Sequence, residues 1–378
     1  VPKLEFEPEV LRRAFAVARI VKPETNDFCL RFTDGGLTIV SQDKRRFVRS
    51  EVRPKTVVDG LSTDDFYLTS DRASLFDSDL ESVTISVNEK SLTVIASGDG
   101  QTRQAVLKRR AERSRRPPIP ARPPIDDAHE VDAPAFEELL KQVSCSALVK
   151  ETKTDEEMRL NQVHFYPDHG CAVSNARFYA SYSFLPGLSL DLSIVSADLP
   201  MIRQFCSQMK SGGKVLVRQD DRRLYVTDKV TGSVLSMTRV NCGRPPYQFL
   251  DESEFNTTVQ VRRDVALKGL NWAVTALEGT QRITLDCQAS PSGEPSSLTL
   301  LSDHTEIAQF KASVISGPGI RADFPARLLH SIFTYVEDGI VELRYGHKQL
   351  PTLIQIRHSD QKGPVRSFHF LQSMKARS

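Results

Sequence analysis

Apolar positions along this chain recur at two alternating periods. Spacings of three and four residues predict amphipathic helices over 8–21, 134–148, 198–210, 263–277 and 323–336, with a weaker one over 69–77. The first helix aligns Val10, Ala14, Val17 or Ala18, and Val21. The second aligns Phe136, Leu140, Val143 and Ala147, and the third Leu199, Ile202, Phe205, Cys206 and Met209. Ala266, Leu270, Ala273 and Leu277 mark the fourth; Leu328 or Leu329, Ile332, Phe333 and Val336 mark the fifth. Gly212-Gly213, Gly279 and Asp338-Gly339 supply stop signals.

Between helices the period falls to two. Leu37–Val40 follows Asp34-Gly35-Gly36, residues 215–218 and 223–226 flank Asp220-Asp221, and residues 341–345 and 353–356 bracket a turn at Gly346. These are antiparallel strand and hairpin signals, spaced too tightly for helix-connected parallel strands. The fold class is therefore α+β, with large antiparallel sheets and few helices.

The helices at 8, 134 and 263 begin about 126 and 129 residues apart, close to a third of the 378-residue chain. Each is followed roughly 60 residues later by another helix, at 69–77, 198–210 or 323–336. That periodicity predicts three similar domains of two helix-plus-strand half-repeats each. A single half-repeat has too little apolar surface to stand alone, so pairing is expected. The expected boundaries are 1–116, a proline-rich linker over 117–129, 130–252 and 253–378. Residues 101–125 carry eight basic side chains and five prolines against Glu112 alone, and read as a strand edge running into an extended tether.

Composition narrows the function. The 50 basic and 48 acidic side chains nearly cancel, so any nucleic-acid role must come from charge distribution. The six cysteines lack metal or redox spacing, which fits a reducing, cytoplasmic setting. No apolar run is long enough to span a membrane. Phosphate-loop, nucleophile-elbow and zinc-protease motifs are absent. His164 and His169 flank a turn without a nearby third ligand, and no metal or cofactor is expected. Asp64-Asp65, Asp126-Asp127 and Asp220-Asp221 could in principle hold magnesium for a nuclease, but read more simply as solvated turns.

Basic residues recur on the helices: Arg12, Arg13 and Arg19 on the first, Arg72 near the short one, Lys141 on the second, and Arg203 and Lys210 on the third. Arg262, Arg263 and Lys268 belong to the fourth, and Arg327 to the fifth. On one helix this would be an ordinary solvated face. Repeated on equivalent helices facing a common space, it makes a lining that attracts phosphates without sequence preference. Aromatic interleaving is sparse, unlike a single-strand stacking platform.

The segment 194–250, with SADLPMIRQF, KVLVRQDDRRLYVTD and GSVLSMTRVNCGRPPYQFLDE, resembles the bacterial-type DNA polymerase sliding clamp. So do residues 174–180, SNARFYA, and the stretch VQVRRDVALKGLNWAVTAL. The resemblance implies a non-catalytic processivity factor that encircles double-stranded DNA as a head-to-tail homodimer, helices inside and sheets outside. It implies a clamp loader that spends ATP, a DNA polymerase partner, and a peptide groove between domains two and three. Carried over by position, that groove includes Ser174, Ala176, Arg177, Phe178, Tyr179, Pro246, Phe249, Leu250, Asp323, Ala326, Thr352, Leu353, Phe368, Phe370 and Leu371. Ala176, Arg177 and Ala326 depart from the family pattern, which implies altered partner preference. The divergence and the basic linker suggest a phage-encoded clamp. Competing readings are a non-annular β-rich peptide-binding adaptor and a magnesium-dependent nuclease.

Overall fold

Pro8 opens the first helix of the computed structural model, α1 (Pro8–Ala18), where its fixed φ suits the first turn and its missing N–H costs nothing. The structure describes residues 3–33, 36–58, 65–76, 80–108, 120–146, 161–173, 179–209, 213–241, 255–277, 282–289, 296–348, 352–360 and 363–374. Four further α-helices lie among them: α2 (Ala133–Ser144), α3 (Leu199–Ser207), α4 (Arg263–Ala276) and α5 (Ala326–Tyr335). The expected helix over 69–77 is only a short 3-10 turn, Arg72–Phe76. The chain forms two compact units, Val1–Pro134 with Pro200–Arg239, and Ala135–Leu199 with Val240–Ser378.

The first unit contains two antiparallel sheets. One has five strands, in the order Thr56–Val58, Lys3–Phe6, Ser82–Val87, Ser91–Gly98, Gln101–Lys108. The other has eight: His129–Asp132, Lys214–Gln219, Arg223–Asp228, Val234–Thr238, Arg46–Val52, Gly36–Gln42, Asp27–Thr33, Asp65–Thr69. Its central seam pairs Val234 with Arg49 and Leu235 with Val48, joining strands far apart in sequence. Leu11, Ala14, Phe15 and Ala18 of α1 share a core with residues of both sheets, among them Leu30, Ile39, Ile85 and Val94. Phe15 stacks on Phe76 at 4.5 Å, so the 3-10 turn seals this core although too short for the expected helix. Val10, expected on the buried face, is 42% exposed; Leu11 takes its place. Gly36 has φ +129°, and a side chain there would meet the Val52 carbonyl oxygen at 2.2 Å, so only glycine fits.

The second unit is built on a ten-stranded antiparallel sheet. Its order is Gln162–Val173, Tyr179–Val195, Arg366–Gln372, Leu353–His358, Ile340–His347, Phe255–Arg262, Thr305–Ser316, Ser296–Ser302, Arg282–Gln288, Gly319–Pro325. Ala266, Leu270 and Ala273 of α4 and Leu329, Ile332 and Phe333 of α5 share one core with Val259, Leu285, Leu300, Leu343 and Ile356. Burying each large aliphatic or aromatic side chain contributes about 1.5–3 kcal/mol. A side chain at Gly269 would press on the Phe310 ring at 3.0 Å, so glycine allows α4 to lie close to the sheet. The helix expected from 323 begins at Ala326, because residues through Pro325 complete the edge strand.

Alternation along Arg366–Gln372 divides two environments. Phe370, with Tyr166, Tyr182 and Leu353, forms an aromatic-rich cluster on one face, flanked by Phe184, Phe255 and Phe368. Leu371 enters the core with α4 and α5. His369 enters a buried polar network: its Nδ1 lies 3.2 Å from Ser181 Oγ and its Nε2 3.2 Å from Gln142 Oε1. The Tyr179 hydroxyl lies 2.6 Å from Cys145 Sγ in the same network. Burial pulls the His369 pKa down to about 3 and pushes Cys145 up to about 11. Imidazole and thiol are therefore neutral near pH 7.

Candidate nucleic-acid interface and partner groove

Helix periodicity places one side of α4 and α5 in the core and leaves the other exposed. On α4 the outward residues include Lys268, Asn271, Trp272 and Thr275; on α5 they include Arg327. His330 Nε2 lies 2.6 Å from Asn271 Oδ1 and ties the two helices side by side. Trp272, the sole tryptophan, is 66% exposed between these polar groups. Sequence reasoning missed it, because a tryptophan in an amphipathic helix ordinarily signals core. An exposed indole one helical turn from Lys268 offers a flat face to sugar while the lysine meets phosphate charge.

The other candidate cations differ in availability. Arg12 is paired with Glu9 at 3.3 Å, Lys141 with Glu138 at 3.0 Å, and Arg262 with Asp264 at 2.8 Å. Such surface pairs are weak and a phosphate can displace them. Arg19 and Arg72 are exposed, and Arg203 is half-buried. Arg13 is directed 3.7 Å from the buried Asp228 carboxylate and is held within the first unit. Arg263 departs furthest from the expected lining role. Its guanidinium donates to the carbonyl oxygens of Phe333 at 2.8 Å and Thr334 at 3.0 Å, and also engages Asp338. It caps the C-terminus of α5, whose exposed carbonyls and dipole favour a cation. Lys210 lies outside the described residues.

Of the groove candidates, Ser174, Ala176, Arg177, Phe178, Pro246, Phe249 and Leu250 lie outside the described residues. The strand Arg366–Gln372 and the residues after it gather most of the rest. Leu371 pairs with Tyr179 and Gln372 with Leu353. The Ser373 amide donates to the Thr352 carbonyl and the Met374 amide to the Asp323 carbonyl, both at 2.8 Å. Asp323 Oδ1 accepts from the Thr284 hydroxyl at 2.6 Å. Tyr179, Ala326 and Leu371 are buried in core and form no open wall; they support the neighbouring surface from behind. Leu353 and Phe370 are buried in the aromatic cluster, whereas Thr352, Asp323 and Phe368 remain partly accessible. Phe368 packs edge-on against Phe184 at 5.8 Å, with the Arg357 guanidinium 6.0 Å from its ring centre.

The candidate acids and histidine have local tasks. Asp220 accepts from the backbone amides of Arg222 and Arg223, each at 2.7 Å, and from the Tyr225 hydroxyl at 2.8 Å. Burial alone would raise its pKa, but these donors outweigh it and hold the carboxyl below its ordinary value. This organises the hairpin turn that the sequence predicted. His164 is buried with Nδ1 2.9 Å from Ser193 Oγ. Among the described residues no group of three metal-ligating side chains converges, Cys29, Cys145, Cys206 and Cys287 form no disulfide, and no helix is long and apolar enough to cross a membrane.

No family model matches the sequence, and no curated protein matches it either. Solved structures do match. The DNA polymerase III beta subunit of Thermotoga maritima is 16% identical, with a TM-score of 0.74 over 100% of both chains. The DNA polymerase III subunit beta of Pseudomonas aeruginosa is 12% identical with a TM-score of 0.76, covering 99% of this chain and 100% of that one. A DNA polymerase sliding clamp from Caulobacter crescentus is 12% identical with a TM-score of 0.74 over the same shares. The backbone thus follows the sliding-clamp fold from end to end, although few side chains coincide.

Proposed function

We propose that this chain, having the bacterial sliding-clamp fold, is a non-catalytic processivity factor that encircles duplex DNA as a head-to-tail homodimer. The observation that carries the reading is the fold likeness over 99–100% of both chains to solved DNA polymerase sliding clamps. In this proposal three domains per chain, bounded near 1–116, 130–252 and 253–378, make a six-domain ring. Cations on or beside the helices, including Arg12, Arg19, Arg72, Lys141, Arg203, Arg262, Lys268 and Arg327, face the DNA. They hold phosphates weakly and without base readout, so the ring slides. A polymerase and an ATP-driven loader dock by peptide in the groove around Phe368, Thr352 and Asp323.

Two open strand edges support the head-to-tail arrangement. Gln101–Lys108 is the outer strand of the five-stranded sheet and carries the 58% exposed Val106. In Thr305–Ser316, only the far half pairs with Phe255–Arg262; residues 305–311 have a ladder on one side alone among the described residues. Unpaired edges invite association, and two different edges joined twice around a twofold axis close a ring.

The test is retention on DNA. Protein bound to a closed circular plasmid should co-elute with it through gel filtration and be lost when the plasmid is linearised. Equal retention on both forms would indicate an open adaptor instead. Reproducible cleavage with magnesium, abolished by Asp220→Ala, would establish a nuclease. The Trp272 emission should change on adding duplex, and Lys268→Glu with Arg327→Glu should lower retention and flatten its salt dependence.

A further inference from the structure

The first unit contains a cavity of about 580 Å³ at the end of strand Arg46–Val52, beside the N-terminus of α1 and the turn at 229–232. Six cations line it: Arg31, Arg49, Arg53, Lys55, Arg122 and Lys229. Only two carboxylates, Glu7 and Glu51, share the lining. Glu51 is divided between Arg49 at 3.1 Å and Arg122 at 3.6 Å, and Glu7 lies 3.4 Å from Lys55. Arg31 is held by Asp65 and Lys229 by Glu130. Arg53 is exposed and has no partner among the described residues. In a chain that is nearly neutral overall, this is a concentrated positive hollow.

From this geometry we infer that the cavity binds an acidic peptide segment of a partner protein, one that alternates carboxylates with aliphatic side chains. Charge complementarity gives the sign of the ligand. The apolar lining favours peptide over nucleic acid. Val10 and Val230, 42% and 83% exposed, stand in it with Leu37 and Val52 behind them. A phosphate backbone has no use for these aliphatic contacts, whereas leucine or isoleucine side chains do. The volume suits a few side chains and not a duplex. Arg49 also donates to the Pro120 carbonyl at 3.2 Å, which puts Pro120 beside the cavity. The sequence of the proline-rich connector contains Arg116-Pro117-Pro118, and a second Arg-Pro-Pro run stands at Arg244-Pro245-Pro246. The two junctions of the repeat then carry two docking sites of different chemistry, one aromatic and one cationic. The inference does not require the chain to encircle DNA.

Fluorescence anisotropy of the intact protein with a fluorescein-labelled octapeptide alternating glutamate, aspartate and leucine tests this. Binding should saturate and weaken with salt. The double variant Arg53→Glu/Lys229→Glu should bind about tenfold less tightly, the combined effect of two exposed ion pairs. Arg53→Glu alone should lower affinity without altering the thermal melt, and Lys90→Glu on a remote hairpin should leave binding unchanged. Three results would each overturn the inference. One is equal binding of a peptide with glutamine for every acid. Another is indifference of the acidic peptide to both cavity variants. The last is stronger competition by a thymidine dodecanucleotide than by unlabelled acidic peptide, which would make the hollow a nucleic-acid site.

Discussion

Arg263, the first residue of α4, donates from Nε to the carbonyl oxygen of Phe333 near the end of α5, across 2.8 Å. Its side chain is only 17% exposed, and Thr334 and Asp338 complete the contact. A cation that looked like part of a DNA lining is thus a clasp between two helices. Arg263→Ala should cost about 2 kcal/mol, through lost charge-assisted hydrogen bonds and an uncapped helix end. Chemical denaturation measures that loss. DNA retention at a temperature where the variant is folded should match the parent; a matching fall in DNA binding would return Arg263 to the lining.

His369 makes stability depend on pH. Its folded pKa is about 3 against an ordinary value of 6.5, so the unfolded chain takes up a proton that the folded chain refuses. The contribution is fully present above pH 6.5 and is lost progressively as pH falls from there toward 3. The slope approaches one proton, about 1.4 kcal/mol per pH unit. Denaturation midpoints of His369→Gln between pH 7 and 4.5 should fall less steeply than those of the parent. Parallel profiles would mean that other groups dominate.

Phe370 is 3% exposed and meets Tyr182 edge-on at 5.9 Å. Phe370→Ala should therefore destabilise the second unit by about 3–5 kcal/mol, in addition to any loss of partner binding. Phe368→Ala and Thr352→Arg, at partly accessible positions, separate the two effects. They should weaken polymerase-peptide binding, read by calorimetry, with little change in melting temperature.

Val106 stands on the open edge of the five-stranded sheet. Val106→Glu should preserve the fold and weaken self-association about tenfold by burying a charge at the junction. Analytical ultracentrifugation would detect the monomer. An unchanged dimer would move the interface elsewhere.

Much of the local structure was legible in the sequence, because it depends on side-chain period and on caps. The fourth helix was expected over 263–277 and spans Arg263–Ala276. The Asp220-Asp221 turn followed from its flanking alternation. The limits of legibility are tertiary. Strand Gly319–Pro325 runs directly into α5, and Phe324 continues the helical apolar pattern, so three strand residues read as helix. The exposure of Val10 and Trp272 depends on what packs beside each helix. The groove candidates divided into core and surface because successive residues of Arg366–Gln372 face opposite sides, a distinction that position in a repeat does not convey.

The seam that pairs Val234 with Arg49 has a consequence for synthesis. Strand Arg46–Val52 leaves the ribosome long before Val234–Thr238. At about 5–20 residues per second, the nascent chain waits on the order of ten seconds or more for that neighbour. Throughout that interval Phe47 and Val48 sit on a bare hydrogen-bonding edge, the kind of surface that recruits chaperones or captures another nascent chain. The polarity of translation therefore leaves the first third of the gene product without one of its pairing strands until the middle third has emerged.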